Sequence, residues 1–236
     1  MKKLSLIASG FLLLACLTSV SHATTVTLAE FTKANANNTC SATQDLTIKF
    51  KPHESIGEYQ VTIPVKLKPL ASDRFKRTAN IVVGKIGASP QVLKIIADTP
   101  NSVENDPCFV RIEDFNFDGY LDIANIDSFG AKWGGYQFWL FDKASQTYVT
   151  SPISKKLGEL AANEITFDAK HQIIQSHYLS ASGGIIREAF QIKKNKLILV
   201  EDESEKVDPD KQTVTRIIRK RIKGKMKPIT TRTEKL

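Results

Sequence analysis

The chain has 236 residues, a formal net charge of +8, 42% hydrophobic and 25% charged residues, and only three cysteines and two methionines. That is enough apolar material for a buried core, and it excludes a disordered chain, a disulfide-dense miniprotein and a Met-rich surface. The charge is uneven: Thr213 to Leu236 holds nine Lys or Arg against the single acid Glu234, so the remainder sums to zero and lacks the basic body of a nucleic-acid-binding domain.

The chain opens on Lys2 and Lys3, continues apolar from Leu4 to Leu17, and reaches Ser21-His22-Ala23 with small residues at the cleavage positions. This pattern predicts a signal peptide over Met1–Ala23 and export, most naturally to a bacterial periplasm. Leu13-Leu14-Ala15-Cys16 also reads as a lipobox, so a second reading anchors the protein as a lipoprotein through Cys16. The apolar run is too short for a membrane span, and residues 24–236 are expected to form one domain.

Downstream, Leu46–Phe50 and Tyr59–Leu67 alternate with period two, the second interrupted by Pro64. Asn80–Val83 and Val92–Ile96 follow, then a polar stretch from Asp98 to Pro107. Phe109–Ile112, Leu121–Ile126, Tyr136–Phe141 and Thr147–Thr150 are further strand candidates. Lys155–Asn163 is the one segment that invites a helix. Ile165–Phe167, Ile173–Leu179, Ile185–Ile192 and Leu197–Glu201 come next, with turns at Ser182-Gly183-Gly184 and Lys194-Asn195-Lys196. Thr213–Ile222 and Lys225–Thr233 close the chain as a basic hairpin around Gly224. Many short strands at this spacing predict an all-β antiparallel meander.

Cys40 and Cys108 are an even pair in an exported chain, which predicts a disulfide worth about 4 kcal/mol on the chain-entropy model. Two buried free thiols are the other reading.

Asp114-Phe-Asn116-Phe-Asp118-Gly-Tyr120-Leu-Asp122 carries the sharpest chemistry. Oxygen side chains occupy positions 1, 3, 5 and 9, Gly119 stands at position 6 where the chain must turn, and Tyr120 offers its carbonyl at position 7. An all-oxygen set without Cys or His suits Ca²⁺. Position 12 is Asn125 where an EF-hand has Glu, and the residues after Gly119 alternate as a strand. The expected metal ligands are Asp114, Asn116, Asp118, Tyr120 and Asp122, in a structural role. The other reading is a surface turn whose acids cap backbone amides.

With Phe129-Gly-Ala131 and Gly134-Gly-Tyr136-Gln-Phe-Trp-Leu-Phe-Asp142, this loop resembles the calcium loops of FG-GAP/VCBS-type β-propeller repeats, present here once. Tyr178–Phe190 and Lys196–Glu201 extend the likeness to a family of small exported bacterial proteins. That family includes immunity proteins against peptidoglycan-hydrolase toxins of bacteria-killing type IV secretion systems. The resemblance covers roughly Val92 to Val200. It implies a propeller-like fold, a β-sandwich being the alternative, and a periplasmic inhibitor of a lysozyme-like enzyme.

No GxSxG elbow, HExxH spacing or P-loop ending is present, so a non-catalytic role is expected. The candidate partner-binding residues are Ser182, Gly183 and Gly184 at a hairpin tip, and Arg219, Arg221 and Lys223 in the basic hairpin. The alternative function is an envelope adhesin or assembly factor that grips an anionic surface through that hairpin.

Overall fold

The computed structural model describes residues 24–36, 45–63, 68–70, 73–98, 110–129, 134–160, 164–179 and 184–235. The expected leader with Cys16, the Cys40–Cys108 pair, and Ser182 and Gly183 lie outside the described residues.

A short strand, β1 (Thr24–Thr27), runs directly into helix α1 (Leu28–Ala36). The junction is a capping box: the Thr27 amide donates to the Glu30 carboxylate (2.7 Å), and the Glu30 amide donates to Thr27 Oγ1 (3.3 Å). Strands β2 (Leu46–Phe50), β3 (Tyr59–Ile63), β4 (Lys68–Leu70), β5 (Asp73–Lys85) and β6 (Gln91–Asp98) follow. Then come β7 (Val110–Glu113), β8 (Asp122–Phe129), β9 (Gly134–Asp142) and β10 (Thr147–Val149). These ten strands form one sheet in the order β1-β2-β3-β5-β6-β8-β9-β10, with β4 beside β5 and β7 beside β8. All pairings are antiparallel except β1 with β2 and β6 with β8.

Helix α2 (Pro152–Leu160) starts three residues earlier than its sequence pattern suggests, because Ser151 caps it and Pro152 takes the first helical position. Six antiparallel strands complete the chain: β11 (Glu164–Asp168), β12 (Ile173–Leu179), β13 (Ile185–Lys193), β14 (Lys196–Asp208), β15 (Thr213–Ile222) and β16 (Lys225–Lys235). The turns at Lys194-Asn195 and Lys223-Gly224 all have positive φ, as the mirror-image turns of tight hairpins require.

The all-β class is as expected. The strands lie in two open sheets, with no closed barrel among the described residues, and this is the sandwich alternative rather than a ring of propeller blades.

Two cores hold it together. In the first, Ile48, Val61, Ile81, Val83, Leu93, Val110, Ile123, Trp139 and Tyr148 are buried on one face of the large sheet, so that sheet curls around its own interior. The free edge at β10 is fastened back to β6 by Gln91, whose amide accepts the Tyr148 N–H (2.9 Å) and donates to the Tyr148 carbonyl. The second core joins the opposite face of β8 and β9 (Ala124, Phe138, Leu140) to Ile153 and Leu157 of α2 and to Ile165, Ile174 and Phe190 of the second sheet. Successive residues of β9 therefore point alternately into the two cores. That is why Phe138-Trp-Leu-Phe141 is an unbroken apolar run.

Candidate functional site

The acidic loop spans residues 114–121 between β7 and β8. Its turn is built from its own side chains. Asp114 accepts the amides of Asp118 (3.1 Å) and Gly119 (2.8 Å), one on each carboxylate oxygen. Asn116 Oδ1 accepts the Asp118 amide (3.1 Å), and Asp118 Oδ1 accepts the Tyr120 amide (2.9 Å). Asn116 also donates to Asp118 Oδ2 (3.0 Å). Gly119 sits at φ +87°, where a side chain would be strained.

The residues between the acids anchor the loop. Phe115 is fully buried in the second core, 4.9 Å from Phe167 and 5.1 Å from Phe138 between ring centres. Phe117 packs on the same cluster. Tyr120 lies between His53 (4.7 Å) and Phe141 (5.6 Å, nearly parallel). The Leu121 amide donates to the Pro52 carbonyl (2.8 Å), tying the loop to the segment after β2.

Asp122 is placed differently from its fellow acids. It is 0% exposed, and its two oxygens accept the amides of Phe115 (3.0 Å) and Phe141 (2.8 Å). It is a buried staple between the loop and β9. Burial pushes its carboxyl up to about 8, helped by the charges of Asp118 and Asp114 and opposed by the two amides. Burial also raises Asp114, with the Asp118 charge adding to it.

The sequence thus places Asp114, Asn116, Asp118 and Tyr120 on one turn, as expected, and sends Asp122 inward. The donor chemistry suits a hard cation, since every ligand atom is oxygen and each keeps a lone pair beyond the bond it already accepts. Carboxylates gathered on one turn are relieved by a divalent charge. Among the described residues, however, no three His, Cys, Asp or Glu side chains are grouped as a metal cage.

Beside the loop, a cleft of about 530 Å³ opens between α1 and β7, lined by Phe31, Thr32, Asn35, Arg111, Glu113 and Tyr136. Arg111 is held by two bonds to Glu113 (3.0 and 2.9 Å), and its guanidinium lies 5.3 to 6.0 Å from the ring centres of Phe115, Phe167 and Tyr136. No sequence signal marks this cleft, because α1 and β7 are far apart in the chain.

The partner-binding candidates are mostly committed within the fold. Gly184 is buried, and a Cβ there would stand 2.0 Å from the Glu205 carbonyl, so close packing against β14 explains the missing side chain. Arg219 donates to Asp202 (2.7 Å), which is 5% exposed. Arg221 donates to the carbonyls of Leu199 and Gly224, both at 2.6 Å. Lys223 remains exposed at its turn. Of the scattered histidines, His171 pairs with Asp168 (2.7 Å) and His177 with Glu164 (2.8 Å), both on the surface.

No family model matches the chain, and no curated protein matches it in sequence. A solved structure shares its architecture: a Xanthomonas type IV secretion system related protein. The two are 17% identical, with a TM-score of 0.54 over 80% of this chain and 96% of that one. At that identity the likeness establishes the fold.

Proposed function

We propose that this chain is an exported, non-catalytic binding protein associated with type IV secretion, serving as an immunity protein that blocks a lysozyme-like peptidoglycan hydrolase. The observation that carries the reading is the architecture shared with the Xanthomonas type IV secretion system related protein over nearly the whole of that chain. The signal-peptide pattern and the resemblance of residues 92–200 to exported immunity proteins support it. In this reading the FG-GAP/VCBS-like loop holds one Ca²⁺ through Asp114, Asn116, Asp118 and the Tyr120 carbonyl, next to the Asp122 staple. The ion supplies rigidity and takes no part in any reaction.

The test is titration of the purified protein into a peptidoglycan hydrolase encoded beside its gene, followed by the clearing of cell-wall suspensions. Stoichiometric loss of hydrolase activity and co-elution of the two proteins are expected. Full activity with no complex overturns the proposal.

A further inference from the structure

The second sheet gathers its basic turns at one end. The turns at 169–172, between β11 and β12, and at 194–195, between β13 and β14, leave the sheet on the same side. Both lie within four residues of the paired row Phe167–Ile174–Phe190–Leu199. The bond from Arg221 to the Leu199 carbonyl brings the β15–β16 turn at 223–224 to that same end. With turns two strands apart, the three tips form a row roughly 20 Å long.

Lys170 stands in the first turn, Lys194 and Lys196 at the second, and Lys223, Lys225 and Lys227 at the third, all exposed. Among the described residues none of the six has a carboxylate within ion-pair distance. Five acids of this sheet are occupied elsewhere: Glu201 by Lys220, Asp202 by Arg219, Glu203 and Glu205 by Arg216, and Asp168 by His171. Lys193 even faces Lys196 directly across the ladder, a like-charge pair that costs stability unless an anion relieves it.

The chemistry of the row selects among anionic partners. Its available cations are lysines, compact point charges without the planar fork that reads a single carboxylate or phosphate; Arg221 is pinned to carbonyls. No Phe, Tyr or Trp occupies the three turns, so stacking on bases has no platform. The edge strand β16 is blunted against pairing with another chain by Pro228, flanking lysines and the irregularity at Ile229. Yet Ile222, next to the tip, is 41% exposed among these cations. An exposed apolar chain ringed by lysines matches a lipid interface, where the charges stay at headgroup level and the apolar group enters.

We propose that this end of the second sheet docks on an anionic phospholipid bilayer, with the three lysine-bearing turns against the headgroups and Ile222 entering the interface. The proposal does not rest on the hydrolase reading.

The experiment is co-sedimentation of the purified protein with vesicles of phosphatidylethanolamine and phosphatidylglycerol, and with vesicles of phosphatidylcholine alone. Binding to the first, weakened by salt, and none to the second are expected. Lys223→Ala with Lys225→Ala, and separately Lys194→Ala with Lys196→Ala, should each weaken partitioning roughly thirtyfold, at about fivefold per lysine. Unchanged circular dichroism will show that these surface variants fold, and Lys49→Ala in β2 with Lys51→Ala just after it should bind as before. No binding to anionic vesicles, equal binding to neutral ones, or indifference to both lysine pairs overturns the proposal. So does equally tight, Ile222-independent retention on polyglutamate, which would make the end a general polyanion surface.

Discussion

Asp122 holds two backbone amides in a site closed to water, so replacing it leaves two buried donors without acceptors. Each such orphan costs about 1–3 kcal/mol. Asp122→Ala is therefore expected to destabilise the fold by about 3 kcal/mol or more in urea unfolding, with or without Ca²⁺. Asp122→Asn keeps one acceptor oxygen for the two amides and should cost less than Asp122→Ala. Asp118 is exposed and its bonds are local. Asp118→Ala should change stability by about 1 kcal/mol or less in chelator. It should remove the stabilisation that saturating Ca²⁺ gives, about 2.7 kcal/mol at a hundredfold excess over the dissociation constant. Identical melting of the parent protein in chelator and in millimolar Ca²⁺ would refute the ion while leaving the staple intact. The two roles were not separable in the sequence. Nine residues with correctly spaced oxygens predict a turn, and the structure forms that turn. The inward rotation of Asp122 depends on β9, whose Phe141 amide arrives from nineteen residues away.

Within the second sheet, charge does the work that apolar alternation does in the first. The far half of β14, Glu201-Asp-Glu-Ser-Glu205, is a strand because Arg216, Arg219 and Lys220 of β15 meet it across the ladder. The sequence pattern ends this strand at Glu201, where the apolar alternation stops. By contrast Leu46–Phe50, Ile173–Leu179 and Thr213–Ile222 are legible to the residue, since their period-two pattern coincides with burial or pairing. Helix α1 escaped the same reading because only Phe31 of it is buried; its signal was the Thr27–Glu30 capping box. One acid in this sheet is not neutralised. Glu188 lies directly opposite Asp202, and burial, together with that charge, raises its carboxyl above the ordinary value. The folded protein thus holds this proton more tightly than the unfolded chain does. The penalty is absent below about pH 4, where both states are protonated, and complete once pH exceeds the raised value. Stability on this account falls as pH rises through that window. Glu188→Gln should raise stability at pH 7 by a few tenths to about 1 kcal/mol, and match the parent below about pH 4. A gain that is the same at both pH values would assign the effect to packing instead.

On the scale of the whole molecule, β9 is a wall common to two interiors. Trp139 and Phe141 face the first core, while Phe138 and Leu140 face the second, where they meet α2 and the second sheet. Neither core can lose its contents without exposing one side of the same strand, and the Asp122 staple fixes the loop to that strand as well. The two sheets should therefore unfold as one cooperative unit. Leu157 of α2 is 0% exposed and belongs to the second core alone. Leu157→Ala is expected to cost about 2–5 kcal/mol through lost burial and the cavity left behind. If β9 couples the cores, that loss moves the tryptophan fluorescence transition, reporting in part on Trp139 in the first core, and the far-ultraviolet circular dichroism transition by the same amount. Two transitions, with only the dichroism signal shifted, would mean that the sheets are independent units joined by β9 rather than one folded body.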